Sequence, residues 1–216
     1  MTPTPDITEM TAVHRVFREA FAMAPQLVSS AADGDAERTA VVASFYRNVL
    51  EFLHCHHAGE DELLFPKLAE RSGKPELVAT LAAQHHGVQG ALDGANAAVE
   101  GWSASATAAD GATAVAAIGV LDVALTVHLN QEEQDLLPLI AGNITVEEWG
   151  ELPAHAMGHF RGDNMFLIIG LVRDKMTEEQ RDRMLDAMPP PAVAAWKAVG
   201  IDAYKADVRA LVGAPA

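Results

Sequence analysis

His56 and Glu60 stand four residues apart, and so do His128 and Glu132 seventy-two positions later. Both pairs belong to one pattern, His-x-x-x-Glu followed by an acid (Asp61, Glu133), an apolar pair (Leu64-Phe65, Leu136-Leu137) and a proline (Pro66, Pro138). Residues four apart on a helix lie one above the other on the same face, so each copy presents an imidazole beside a carboxylate. Side chains of these types at this spacing make a metal-ligand pair.

The repeat continues upstream. Val49, Leu53, His56, Glu60 and Leu64 match Leu121, Leu125, His128, Glu132 and Leu136, so the ligand pair lies within an apolar stripe that faces a core. A second repeat, offset by seventy-one, sets Met10, His14, Phe17 and Phe21 against Leu81, His85, Val88 and Leu92. Two helix pairs are thus written twice, and four imidazoles and two carboxylates converge on one core. Uncompensated charges in such a core cost several kcal/mol each, and a bound cation removes that cost.

Neighbouring side chains compete for these roles. His57 and Asp61 share the four-residue spacing, but Leu129 occupies the matching place in the second copy, so His57 and Asp61 are expected as a flanking pair. His85 is favoured over His86 because Leu81 and Val88 surround it as Met10 and Phe17 surround His14. His54 points away from the ligand face, Cys55 reads as a small buried hydrophobe, and Glu133 and Asp135 as solvated or supporting acids. His155 and His159 are also four apart but have no partner copy, which favours a structural role.

Imidazole suits zinc, iron, copper and nickel, and carboxylate favours harder ions, so donor type alone does not select the metal. Six ligands are too many for one tetrahedral zinc, whereas two carboxylates bridging ions about 3.5–4 Å apart accommodate them all. At this point a resemblance enters. The order His14, His56-x-x-x-Glu60, His85, His128-x-x-x-Glu132 resembles the hemerythrin-like (HHE cation-binding) family of di-iron four-helix bundles, over roughly residues 8 to 142. The expected fold is all-α: an antiparallel up-down four-helix bundle with an internal two-fold repeat, plus a C-terminal helical extension. The resemblance implies two iron ions, oxo- or hydroxo-bridged, held by His14, His56, Glu60, His85, His128 and Glu132, with Glu60 and Glu132 bridging.

The implied task is binding or reaction with a small oxidant or diatomic gas, namely hydrogen peroxide, dioxygen or nitric oxide. Catalase-like disproportionation of peroxide is its most enzyme-like form, and an iron- or oxygen-sensing module without turnover is the alternative. Oxygen carriers of the family have a second histidine one turn along the third helix, where this chain has Gln89 or Gly90, and an aspartate at longer spacing in place of Glu132. One nitrogen fewer leaves a metal open to exogenous ligands, which argues against reversible oxygen carriage.

The remaining features bound the class. The chain has 216 residues, 50% hydrophobic, enough for one core and an appendage. A formal net charge of -15 opposes nucleic acid and anionic membranes as partners. The lone Cys55 excludes an intrachain disulfide, and Met1 to Asp6 lacks the basic and apolar character of a signal peptide, so a cytoplasmic location is expected. The longest apolar run, Met165 to Val172, is too short to span a bilayer that needs about 20 residues.

Two units are expected: residues 1–142 form the bundle and residues 143–216 a helical extension packed on it. The spacing predicts a first helix from Asp6 or Thr8 to Val28, with Thr8 as N-cap and Pro25 bending or ending its last turn, then helices over 37–70 with Pro66 kinking or shortening the end, 75–100, and 112–140. Residues 101–113, rich in Ala, Ser, Thr and Gly, read as the longest loop and the seam of the duplication. The extension should hold helices over 146–173 with a break near Pro153, 178–188 and 192–212, the last two separated by Pro189-Pro190-Pro191. Thr145 with Glu148 and Thr177 with Gln180 are capping-box signatures.

Overall fold

Every regular element among the described residues is helical. The computed structural model describes residues 4–213; residues 1–3 and 214–216, the outer ends of the two expected units, lie outside the described residues. In chain order the helices are α1 Thr8–Ala22, α2 Ala24–Ser29, α3 Ala36–Gly59, α4 Phe65–Arg71, α5 Pro75–Ser105, α6 Ala108–Gln131 and α7 Leu137–Ile140. The C-terminal region adds α8 Val146–His159, α9 Met165–Asp174, α10 Glu178–Ala187, α11 Pro190–Ala195 and α12 Ile201–Val212. Three five-residue π turns, Glu60–Leu64, Glu132–Leu136 and Trp196–Gly200, join α3 to α4, α6 to α7 and α11 to α12 without a break.

The two earlier π turns explain how a proline sits inside each long helix. Pro66 and Pro138 have no N–H to offer the preceding turn. The chain widens instead, and the N–H of Phe65 reaches Glu60 O while that of Leu137 reaches Glu132 O, both five residues back. Pro66 therefore neither ends nor shortens the second helix. Each widened turn begins at the glutamate of the repeated motif, a place where π geometry re-aims the side chains that follow.

Local capping sets the other boundaries. Asp6, not Thr8, serves the start of α1, its Oδ1 accepting from the Thr8 N–H at 3.1 Å, and the expected first helix divides at Met23 so that Pro25 opens α2. The side chains of Asp35, Thr107, Asn164 and both predicted capping-box threonines accept backbone N–H groups at the starts of α3, α6, α9, α8 and α10. The expected break at the proline run is present, at Met188 and Pro189, and Pro190 and Pro191 open α11, where a missing N–H costs nothing. Pro153 lies inside an unbroken α8, and the break falls at 160–164 instead.

The expected loop over 101–113 is the largest departure. Helix continues to Ser105, α6 starts at Ala108, and only Ala106 and Thr107 lie between them. Trp102 is the reason. Its indole is 2% exposed and anchors the end of α5 in the core, while Ala106 takes a left-handed φ of 53° that turns the chain back. Gly111 admits the close approach, since a Cβ there would lie 3.0 Å from both the Trp102 indole nitrogen and Val28.

α5 and α6 pack along one another, α3 lies against α5, and α1 and α2 lie against α6. A continuous cluster joins Phe17, Tyr46, Leu53, Leu92, Trp102 and Ile118 to Phe160, Leu167, Ile168 and Leu211 of the C-terminal helices. Burying each such side chain stabilises the fold by about 1.5–3 kcal/mol, so α8, α9 and α12 are held on α3 chiefly by apolar contact. Ala108–Ile140 contains an 18-residue window with a mean hydropathy of 1.8, so it is long and apolar enough, by length and composition alone, to cross a membrane. Its polar residues before His128 are single and dispersed, and a run of six follows at Asn130–Asp135. Its inner face carries His128 and Glu132, and its outer face leaves Val120, Val123 and Val127 exposed.

Candidate metal centre

The motif side chains meet at mid-length of the long helices, and all of them are buried. His14 comes from α1, His56 and His57 from the last turn of α3, Glu60 and Glu132 from the first residues of the two π turns, His85 from α5 and His128 from α6. They fall into two groups, His14, His56, Glu60 and Glu132, and His57, Glu60, His85 and His128, within each of which the donor atoms lie within 4.8 Å of one another. Glu60 belongs to both. Its Oε1 lies 3.5 Å from His56 Nε2 and its Oε2 3.4 Å from His85 Nε2. Glu132 Oε2 likewise lies 3.4 Å from His14 Nε2 and 3.5 Å from His128 Nε2.

Outer partners fix how the rings point. Glu133 Oε1 accepts from His14 Nδ1 at 2.8 Å, and Asp61 Oδ1 accepts from His85 Nδ1 at 2.9 Å. Gln84 Oε1 accepts from His128 Nδ1 at 3.2 Å, with the Gln84 amide oriented by its donation to Gln131 Oε1 at 2.7 Å. Each of these imidazoles carries its proton on Nδ1 and turns a bare Nε2 lone pair inward. His85 Nε2 and His128 Nε2 consequently face each other 3.1 Å apart with no hydrogen between them.

Seven inward atoms have no hydrogen-bond partner: Nε2 of His14, His56 and His57 and all four oxygens of Glu60 and Glu132. Buried polar atoms are almost always satisfied, so a cluster of inward lone pairs without protein partners fits the holding of a cation. Electrostatics agree. Burial pushes the Glu60 carboxyl up to about 8, with Asp61 adding to the rise, and burial and the facing Glu60 push Glu132 well above the usual range. Burial followed by the neighbouring imidazoles drives His56 and His57 far below the ordinary histidine value, and His128 down to about 3. Carboxylates that resist ionising and imidazoles that resist protonation are a neutral ligand set awaiting positive charge.

The donor set fits bound divalent or trivalent metal. Five imidazoles and two carboxylates suit iron, and also other transition metals. The family model for the hemerythrin HHE cation-binding domain matches residues 6–140. The chain belongs to the hemerythrin HHE family. No curated protein and no solved structure matches it. Hemerythrin-like domains bind metal, typically iron, and the histidine and glutamate groups of this chain are where a member of the family would hold it.

The six residues singled out from sequence, His14, His56, Glu60, His85, His128 and Glu132, all lie in these two groups. His57 is the residue that sequence reasoning missed, and it does not pair with Asp61. Its ring stacks on His85 with centroids 4.1 Å apart and turns its Nε2 to the same centre, while Asp61 supports His85. Adjacent residues on a helix diverge by about 100°, and both can face inward here because α3 is wedged between α1 and α5, placing His56 beside His14 and His57 beside His85. The signal was available in Leu129, which is fully buried: an apolar residue at the matching position marks a core site, not a flank.

The other histidines lie apart. His86 is exposed, and His54 is exposed and bonds Gln89 Oε1 at 3.2 Å. His155 pairs with Glu62 at 3.0 Å and stacks on His159, outside both groups. Cys55 is 2% exposed, and burial pushes its thiol up to about 11, so it remains a thiol beside the centre. Asp135 is exposed.

Proposed function

We propose that this chain is a non-haem di-iron protein that binds or reacts with a small oxidant, hydrogen peroxide, dioxygen or nitric oxide, including catalase-like disproportionation of peroxide. The observation that carries this reading is the pairing of two ligand groups through Glu60, with Glu132 Oε2 facing one histidine from each. Two ions held by both groups would account for all seven unpartnered atoms of the centre, which are too many for one. The helices then read as an antiparallel up-down four-helix bundle with an internal two-fold repeat, in which Asp61 serves His85 as Glu133 serves His14.

Bound iron supplies electrons and open coordination positions that no side chain here possesses. The chain's own residues do the rest. Glu60 and Glu132 would hold the ions and balance their charge. Asp61, Glu133 and Gln84 hold protons on Nδ1 and keep each Nε2 free. Phe17 beside His56 and Phe65 stacked on His85, with ring centroids 5.4 and 5.0 Å away, exclude bulk water. A partner set without nucleic acid or membrane accompanies this reading and rests on the net charge of -15, and a cytoplasmic location is proposed with it from the lone Cys55.

Metal analysis of the purified chain tests it directly. Two irons per chain, a near-ultraviolet band that changes on adding hydrogen peroxide, and catalytic oxygen release are expected. A single zinc per chain refutes the di-iron reading. Two irons that bind oxidant without turnover leave an iron- or oxygen-sensing module, a second reading supported by the packing of α8 and α9 on metal-bearing α3.

A further inference from the structure

Between α1, α3 and the C-terminal helices lies a cavity of about 160 Å3 that ends against His56 and Glu60. Val13 and Phe52 form one wall, and Leu152, Ala156, Ile168 and Val172 the other. Five of the eight methionines of the chain, Met10, Met157, Met165, Met176 and Met184, also line it. Apart from the ligands themselves, its titratable side chains are Cys55 and Glu9, and Glu9 is ion-paired with Arg183 at 3.3 Å.

This lining gives water little to bond to. Apolar cavities of about 150 Å3 stay dry and take up benzene, and a buried water needs two to four polar partners. Methionines add adaptability, since their unbranched, polarisable chains repack around different shapes. The cavity also meets the centre asymmetrically. It reaches the group with two imidazoles, His14 and His56, and not His57, His85 or His128 of the other group. The position with fewer imidazoles therefore faces the apolar space.

We propose that this cavity is a binding site for a small uncharged apolar organic molecule, about the size of a benzene ring with a short alkyl substituent, seated against the His56–Glu60 edge of the centre. Its placement beside a metal rests on the di-iron reading; the apolar binding does not. The C-terminal helices thereby acquire a role that the ligand set alone does not require, as one wall of a ligand chamber.

The test uses the full-length chain with toluene as probe and benzoate as its charged counterpart. In the metal-free protein toluene raises the melting temperature progressively with its concentration and binds at least about a hundredfold more tightly than benzoate, whose carboxylate would lose its water. Ala156→Phe and, separately, Val172→Phe fill the space from the C-terminal side and abolish the toluene response while preserving the helical circular dichroism. In the cobalt(II)-loaded chain, toluene shifts the visible ligand-field bands. The proposal is overturned by absence of a toluene response in the wild type, by an equal response to benzoate, or by a response that survives in a folded filled variant. Toluene binding that leaves the cobalt bands unmoved overturns the placement at His56 and Glu60. Failure to take up metal sinks the di-iron reading alone, and toluene binding by the metal-free chain then upholds the apolar site.

Discussion

Asp61, the residue after Glu60, accepts the Nδ1 proton of His85 across the helix interface at 2.9 Å. One residue thus faces the centre through its carboxylate while its neighbour positions a ligand from a different helix. The second copy repeats the arrangement with Glu132, Glu133 and His14. The acid that follows the glutamate in both motifs is therefore part of the site's construction.

Asp61→Ala should weaken metal binding by about 10–100-fold, the usual effect of losing an outer carboxylate on a ligating histidine. Chelator-competition titration measures this, with far-ultraviolet circular dichroism confirming the fold. Affinity equal to that of the wild type contradicts the positioning role.

His57→Leu reproduces in α3 the residue that stands at the matching place, Leu129, in α6. Metal content should fall below two ions per chain, and the ion held by His85 and His128 should be the weaker-bound. His86→Leu, on the exposed side of α5, should leave metal content unchanged. Equal behaviour of the two variants removes His57 from the centre.

pH acts oppositely on the two kinds of ligand in the metal-free chain. Glu60 is raised from 4.5 to about 8, so the stability it contributes is complete below 4.5 and is lost progressively up to about 8. His128 is lowered from 6.5 to about 3, so its contribution is complete above 6.5 and is lost as pH falls toward 3. Thermal melts should show a maximum between these limits, near pH 4.5–6.5. Metal binding needs deprotonated ligands, so the rise in melting temperature on adding iron should be larger at pH 8 than at pH 5.5. A gain that shrinks with rising pH contradicts the assignment.

Asn48 ties the C-terminal region to α3. It is fully buried, its amide donates to Asp163 Oδ1 at 2.7 Å, and its Oδ1 accepts from the Asn164 N–H at 2.9 Å. Asn48→Ala leaves those partners unsatisfied and should cost about 1–3 kcal/mol. Limited proteolysis should then cut first within 160–164. Unchanged denaturation midpoints and cleavage rates show that apolar packing alone holds the region.

The sequence by itself determined what each helix carries. Spacing of four, an apolar stripe and a duplicated motif put His56 with Glu60 and His128 with Glu132 on inward faces, because intrahelical geometry is fixed by the backbone. Capping residues located Thr145 and Thr177 for the same reason. Composition misled where tertiary contact overrode it: Gly101 to Ser105 look like loop, yet burial of Trp102 holds them helical.

Only the tertiary structure decided how faces meet. That His57 points inward depends on α3 being flanked on two sides, and that Asp61 serves His85 depends on the distance between α3 and α5. The apolar chamber exists because residues over a hundred positions apart, such as Val13 and Ile168, close around one end of the centre. Periodicity along a single helix contains none of this, since it records which way a side chain points and not what stands opposite.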